Sequence, residues 1–354
     1  MRRSNRGYDS YRGRRTATDV LKYIAIFLAV VVVLALGILL WAQEYIVYTD
    51  DGWHIQLFQE EPAAGLPDPG SVSYTELPKE ELPQEVEETP MRALQLPVEA
   101  VVNGSAQAQL EEAGADALVL EMKDQEGNLA WHTQQEIADL ARVNGDESIN
   151  QALEQWLQGD VYTVALVCCY RDNSVPYHQN GLALRGYGGN WRDELGLRWL
   201  SPAVEGAREY VAALCGELAA LGFDEIVLEC AGFPIRGDLS GIDRGPAYDP
   251  EQLTAAVEQS LEQIAQATEG YGAAVSLRVD WDTLEGGETS SGFTSQLLEE
   301  YSHRLWIEED DAGTVSGRFP EQFGLSGGEK RMVMIRAALS EGNDTAQAVL
   351  RNRP

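Results

Sequence analysis

Cations are scarce in this sequence. Lysine occurs only at Lys22, Lys79, Lys123 and Lys330, histidine occurs four times, and 26 basic residues face 57 acidic ones, for a net charge of −31 over 354 residues. So acidic a chain excludes nucleic acid as a partner, because phosphate backbones are held by a dense basic face. No lysine follows a glycine, so there is no phosphate loop, and no Gly-x-Gly-x-x-Gly follows the first candidate strand. Neither nucleotide nor dinucleotide is therefore expected. The histidines make no His-x-x-x-His pair and no two cysteines are two residues apart, so no metal and no cofactor is expected. Cys168, Cys169, Cys215 and Cys230 read as small core residues, since a domain of this size buries an adequate core without disulfides. A Cys169–Cys230 bridge is kept as the one exception.

Long apolar runs are equally rare, which makes the single one informative. Tyr23 to Trp41 carries no charge over 19 residues, enough at about 1.5 Å per residue to cross about 30 Å of hydrocarbon. It is longer than a signal-peptide core and lacks a small-residue cleavage site. Residues 1–22 hold seven basic residues and two acidic ones, against 19 and 55 in the remainder. The positive-inside rule therefore predicts a single-pass signal anchor in the cell membrane, with the N-terminus cytoplasmic and the body extracytoplasmic. The lipid bilayer is a partner through residues 23–41.

Beyond the anchor, residues 42–58 contain a hairpin pattern around Asp50-Asp51-Gly52. Residues 59–90 follow with six prolines, nine carboxylates and one lysine, the composition of an extended linker. From 91 to 354 short apolar runs alternate with helical patterns. Strands are predicted at 96–102, 117–123, 161–170, 225–230, 273–281 and 304–308, with a further candidate at 331–336. Helices are predicted at 105–113, 148–158, 202–221 and 250–268, the last capped by Asp249. This alternation implies an α/β fold with a parallel sheet under helices, and the length fits a TIM-type (β/α) barrel.

Period-two alternation separates the faces of these strands. Val119, Glu121 and Lys123 share one face, as do Glu225, Val227 and Glu229, and Ser276, Arg278 and Asp280. Catalytic groups of such barrels stand at the C-terminal strand ends. Here those ends supply Lys123, Asp124, Arg171, Asp172, Glu229, Asp280, Glu308 and Glu309. Paired carboxylates are what glycoside hydrolysis uses, one as proton donor and one as nucleophile or base. Glu229 is the first catalytic candidate, with Asp280 or Glu121 as partner. Lys123, Asp124 and Asp172 would position a sugar, and Trp191 and Trp281 would stack on it. The Gly324 to Gly328 stretch imitates a nucleophile elbow, but the required histidine would follow the serine and the last histidine is His303.

Gly222-Phe223-Asp224-Glu225-Ile226, continuing through Glu229 to Phe233-Pro234, resembles the fourth-strand motif of the bacterial putative glycoside hydrolase domain family. Val119 to Asp124 with Gly127, Val161 to Asp172, and Trp199-Leu200-Ser201-Pro202 with Tyr210 are similar to its other landmarks. The resemblance spans about residues 92 to 310. It implies a membrane-anchored or secreted barrel acting on a cell-envelope or external polysaccharide. The chain departs from the family pattern at Glu121 and Glu229, where Asp is usual, and at Leu166 and Gly232, where Arg is usual. A planar donor lost from the lumen is not replaced by Leu. These departures leave a catalytically degenerate barrel, binding glycan or an envelope protein without hydrolysis, as the alternative.

Overall fold

The structure, a computed structural model, describes residues 46–49, 52–55, 90–280, 290–309, 326, 328–341 and 345–351. The basic head, the apolar run at 23–41, nearly all of the 59–90 linker and Trp281 lie outside the described residues. Among those described, no helix is long and apolar enough to cross a membrane. The chain divides into two units after Leu82. In the first, Ile46–Thr49 pairs antiparallel with Gly52–Ile55, so Gly52 stands in the second strand rather than in the turn.

The second unit is a closed barrel of eight parallel strands in sequence order. They are β1 Arg92–Leu96, β2 Ala117–Lys123, β3 Tyr162–Cys168, β4 Glu225–Glu229, β5 Ala274–Arg278, β6 Leu305–Glu308, β7 Met332–Ile335 and β8 Ala346–Val349. Around them lie helices α1 Val98–Val102, α2 Ala106–Ala113, α3 Glu136–Ala141, α4 Glu147–Trp156, α5 Val175–His178, α6 Glu205–Leu221, α7 Leu253–Thr268 and α8 Ser295–Tyr301. Gly222 adopts a φ of 106°, which ends α6 in the left-handed conformation and returns the chain to β4.

Three expectations are corrected. The strand predicted at 96–102 is instead β1 followed at once by α1, because Pro97 stands at the helix N-cap and breaks the β-branched run that suggested a strand. The helix predicted from Pro250 begins at Leu253 with Gln252 at its N-cap, while the Asp249 carboxylate accepts from the Glu251 amide at 3.1 Å in the preceding turn. β8 was not anticipated, since the alanine-rich Ala346–Val349 has little strand propensity and is held by pairing to β7 and β1.

Side chains from seven strands, including Ala93, Val119, Leu166, Val227, Trp306, Val333 and Ala348, meet in one buried cluster. Only a lumen brings them together. Their outward neighbours, such as Leu118, Leu120, Val167, Leu228 and Leu277, pack beneath the helices. The middle of the lumen is thus largely apolar and filled, and apart from Glu121 its charged residues stand at the two ends.

At the N-terminal end Glu225 is fully buried. It accepts hydrogen bonds from the Trp306 indole at 3.0 Å and the Tyr162 hydroxyl at 3.0 Å, with the Arg304 guanidinium 3.8 Å away. Burial and the Glu225 charge push the Tyr162 phenol well above its usual range, which keeps it a proton donor. Glu225→Ala, which leaves buried donors without an acceptor, is expected to destabilise the barrel by about 3–5 kcal/mol, and Glu225→Gln by less. Urea unfolding of the full chain measures both.

Candidate active site

The C-terminal ends of β4 to β7 open into a cleft of about 670 Å3, within the usual size of ligand sites. Glu229, Arg278, Glu308 and Ile335, the last residues of those four strands, all border it. Arg278 joins two carboxylates across the opening. One guanidinium nitrogen donates to Glu229 at 2.7 Å and another to Glu308 at 2.6 Å. Glu229 and Arg278 keep 14% and 17% of their side-chain surface exposed, against 66% for Glu308, so this ion triad runs from the cleft floor to solvent.

Asp280, two residues beyond Arg278, also borders the cleft. Its edge is open to solvent, but the surrounding protein mass raises its pKa, opposed by Arg236 and Arg278 and assisted by Glu308 and Glu229. An acid biased toward protonation therefore stands beside a carboxylate already paired with a cation. Farther round, Arg336 donates to Glu309 at 2.8 Å. On the opposite wall Arg171 donates to Asp193 at 2.6 Å and lies 6.0 Å from the Trp199 ring centroid. The Trp199 indole donates to the same Asp193 at 2.9 Å.

The other candidates are placed differently. Glu121 lies opposite Leu166, half-buried in the lumen, and is not among the described residues bordering the cleft. A register shift follows it, so that Lys123 rather than Met122 pairs with Val167, whose side chain belongs to the helix-facing layer. This bulge takes Lys123 off the face it was expected to share with Val119 and Glu121, because one extra residue reverses the alternation. Lys123 is fully buried, 2.9 Å from the equally buried Asp172, and donates to the Cys168 carbonyl at 2.8 Å. Asp172 also accepts from the amides of Ser174 and Val175 at the start of α5. Asp124 accepts from the amides of Glu126 and Asn128, closing the loop after β2. Trp191 is buried and donates to the Asp238 carbonyl at 2.9 Å. Lys123, Asp124 and Asp172 thus hold strand ends and loops together, and the aromatics that reach the cleft are Trp199, Phe233 and Phe293.

Sequence reasoning gave no role to Arg278 or Arg336. Alternation puts Arg278 on the face of Asp280, but its partners depend on the registers of β4, β5 and β6, which no local pattern displays.

A closed (β/α) barrel with several carboxylates at its C-terminal mouth defines the class of protein by its fold: a TIM-type barrel with an acidic cleft. Residues 102–289, just over half of the chain, match the model of the family described as "putative glycosyl hydrolase domain". The chain belongs to that family. No curated protein matches it in sequence. Among solved structures it is similar to a hypothetical protein from Ruminiclostridium thermocellum, at 18% identity and a TM-score of 0.45 over 52% of this chain and 96% of that one. It is also similar to the PgaB (BpsB) glycoside hydrolase domain from Bordetella bronchiseptica, at 12% identity and a TM-score of 0.46 over 69% and 83%. A third is the Flavobacterium johnsoniae chitobiase, at 11% identity and a TM-score of 0.47, where 70% of this chain covers 38% of that one.

The pair beneath the mouth gives a stability prediction. Burial disfavours the charge of Lys123, but Asp172 and the neighbouring Cys168 outweigh it, and the net pKa is raised. A raised folded pKa means that the pair's contribution is complete below the ordinary lysine value of about 10.5 and is lost as pH climbs through the folded value. Lys123→Met is expected to cost about 3–5 kcal/mol by leaving Asp172 buried alone, and an added Asp172→Leu to restore part of it. Urea titrations at pH 7 and above pH 11 check both the loss and its pH dependence.

Proposed function

We propose that this protein is a membrane-anchored, extracytoplasmic glycoside hydrolase acting on a cell-envelope or external polysaccharide. Membership of a glycosyl hydrolase family supports the class. The observation carrying the assignment of residues is the contrast between two carboxyl groups in one cleft: Glu229 held in an ion pair by Arg278, and Asp280 at the solvent-open edge, its pKa raised by the protein mass around it. In this reading Asp280 is the general acid that protonates the leaving glycosidic oxygen, and Glu229 is the nucleophile or the base for water. Glu121 lies below as a reserve of negative charge. Trp199 offers the sugar an apolar edge, and Trp281 follows directly on Asp280 in the chain. Lys123, Asp124 and Asp172 act on substrate only through the loops they hold. The uncharged Tyr23 to Trp41 run supplies the anchor, and the acidic Pro-rich linker supplies reach.

A specific observation favours a second reading, a barrel that binds glycan or an envelope protein without cleaving it. At Gly232, where the family pattern has Arg, a Cβ would stand 2.5 Å from the Ser291 carbonyl and 3.0 Å from the Phe293 ring. The space an arginine would need is closed, and Leu166 is buried in the lumen core.

On a polysaccharide that the full chain cleaves, Glu229→Gln and Asp280→Asn should each lower turnover by about 100-fold or more. Since a general acid works protonated, wild-type activity should persist to pH values above the ordinary carboxylate range and then fall, and Asp280→Asn should remove that alkaline limb. Reducing-end release across pH reads both effects. Retention of a glycan panel with no cleavage of any member would instead favour the binder. For the anchor, deletion of residues 1–41 should move the protein from the membrane to the soluble fraction, and the barrel of the full chain should be open to protease added outside intact cells.

A further inference from the structure

The same cleft wall holds a thiol, Cys230, with a second, Cys168, buried behind it, and the hydrolytic reading uses neither. Cys168 ends β3 on the parity of Val164 and Leu166, so it faces the lumen side. Cys230 follows Glu229 and adopts a φ of 49°, a left-handed conformation rare for a residue with a side chain. That turn ends the strand alternation, and Cys230 borders the cleft while packing against the outer core cluster. The Cys168 thiol donates to the Arg171 carbonyl at 3.4 Å, and the Cys230 thiol is near enough to that of Cys168 to feel its charge. Backbone bonds hold the two segments side by side, from the Cys169 amide to the Glu229 carbonyl at 2.8 Å and from the Tyr170 amide to the Cys230 carbonyl at 3.2 Å. Cys168 stands opposite Glu229, so Cys230 is its diagonal neighbour. A strand spacing of about 4.8 Å with a rise of about 3.3 Å per residue puts such Cα atoms about 6 Å apart, inside the separation of about 4.4–6.8 Å that a disulfide spans. Cys169, the partner the sequence suggested for Cys230, is fully buried in the helix-facing cluster near Cys215. All four cysteines are free in this structure.

We propose that Cys168 and Cys230 are a dithiol–disulfide pair, with Cys230 in the cleft wall the thiol that meets an external small-molecule disulfide and Cys168 behind it the thiol that resolves it. The Cys230 thiolate attacks one sulfur of the external disulfide, forming a mixed disulfide and expelling one small thiolate. The Cys168 thiolate then attacks the Cys230 sulfur, closing the protein disulfide and expelling the second. The two protons leave with the two small thiols, and the two electrons lost by the protein reduce the external disulfide. The neighbouring Cys168 thiol and burial push the Cys230 thiol up, against the pull of nearby Arg171, so exchange is slow near neutral pH. Closure would tie the residue after Glu229 to β3 and fix the backbone that carries that carboxylate. The pairing does not depend on whether the cleft hydrolyses glycans.

The test uses the full chain in detergent, incubated at pH 8.5 with oxidised glutathione, then denatured and alkylated. Two of the four thiols should become unreactive, with the intact mass lower by about 2 Da and the midpoint of thermal unfolding higher by roughly 5–10 °C. Cleavage after glutamate separates Cys215 from Cys230 at Glu217 and Glu225, and fragmentation of the linked peptide separates Cys168 from Cys169. Cys230→Ser should keep three reactive thiols. Four reactive thiols in the oxidised wild type, a link through Cys169 or Cys215, or a glutathione adduct that never resolves would each overturn the proposal. Because the decisive measurement is made on the wild type, a variant that fails to fold does not obscure it.

Discussion

A charge that faces the inside of a closed barrel has to find its partner inside that barrel. Eight strands in a ring leave no edge through which water can solvate the lumen from the side, and an unpaired buried charge costs several kcal/mol. The protein meets this constraint by keeping the middle of its lumen largely apolar, from Val119 and Leu166 to Trp306 and Val333. Apart from Glu121 its charges are placed at the ends. Glu225 at one end is bonded to Trp306 and Tyr162, and Glu229 at the other to Arg278.

The two ends are four residues apart on one strand, yet they serve different purposes. Glu225 is sealed from solvent and its partners come from the adjacent β3 and from β6 two strands away, so it ties β3, β4 and β6 together below the core. Glu229 has the same covalent chemistry but opens onto a cleft, and its cation is shared with the exposed Glu308. Sharing keeps the guanidinium in place while leaving part of each carboxylate turned toward the opening. The protein mass that raises the Asp280 pKa at the cleft edge completes the asymmetry, because two carboxyl groups in unlike surroundings can take unlike proton-transfer roles.

Much of this was legible in the chain because strand alternation is local. The in-and-out order of Val119, Val227 and their neighbours follows from a two-residue period, and β2, β4 and β6 appear at or within a residue of where that pattern puts them. Alternation fails where the backbone departs from it. One extra residue after Glu121 moves Lys123 from the lumen to the helix layer, and the left-handed φ of Cys230 ends the alternation where a thiol borders the cleft. Neither departure has a glycine or proline to announce it at that position. Pro97 does announce one, yet the β-branched residues after it read as a strand until their packing made them α1.

The sequence by itself determined the alternation of strand and helix, the acidic body, the absence of nucleotide motifs and which carboxylates stand at strand ends, because each depends on residue type and near spacing. The tertiary structure decided which of those charges meet. Arg278 reaches Glu229 49 residues before it and Glu308 30 residues after it, and Lys123 reaches Asp172, because closure of the ring sets the stagger of every strand against the next. That register is a property of the whole barrel, so no window of sequence could display the ion pairs that separate the cleft from its supports.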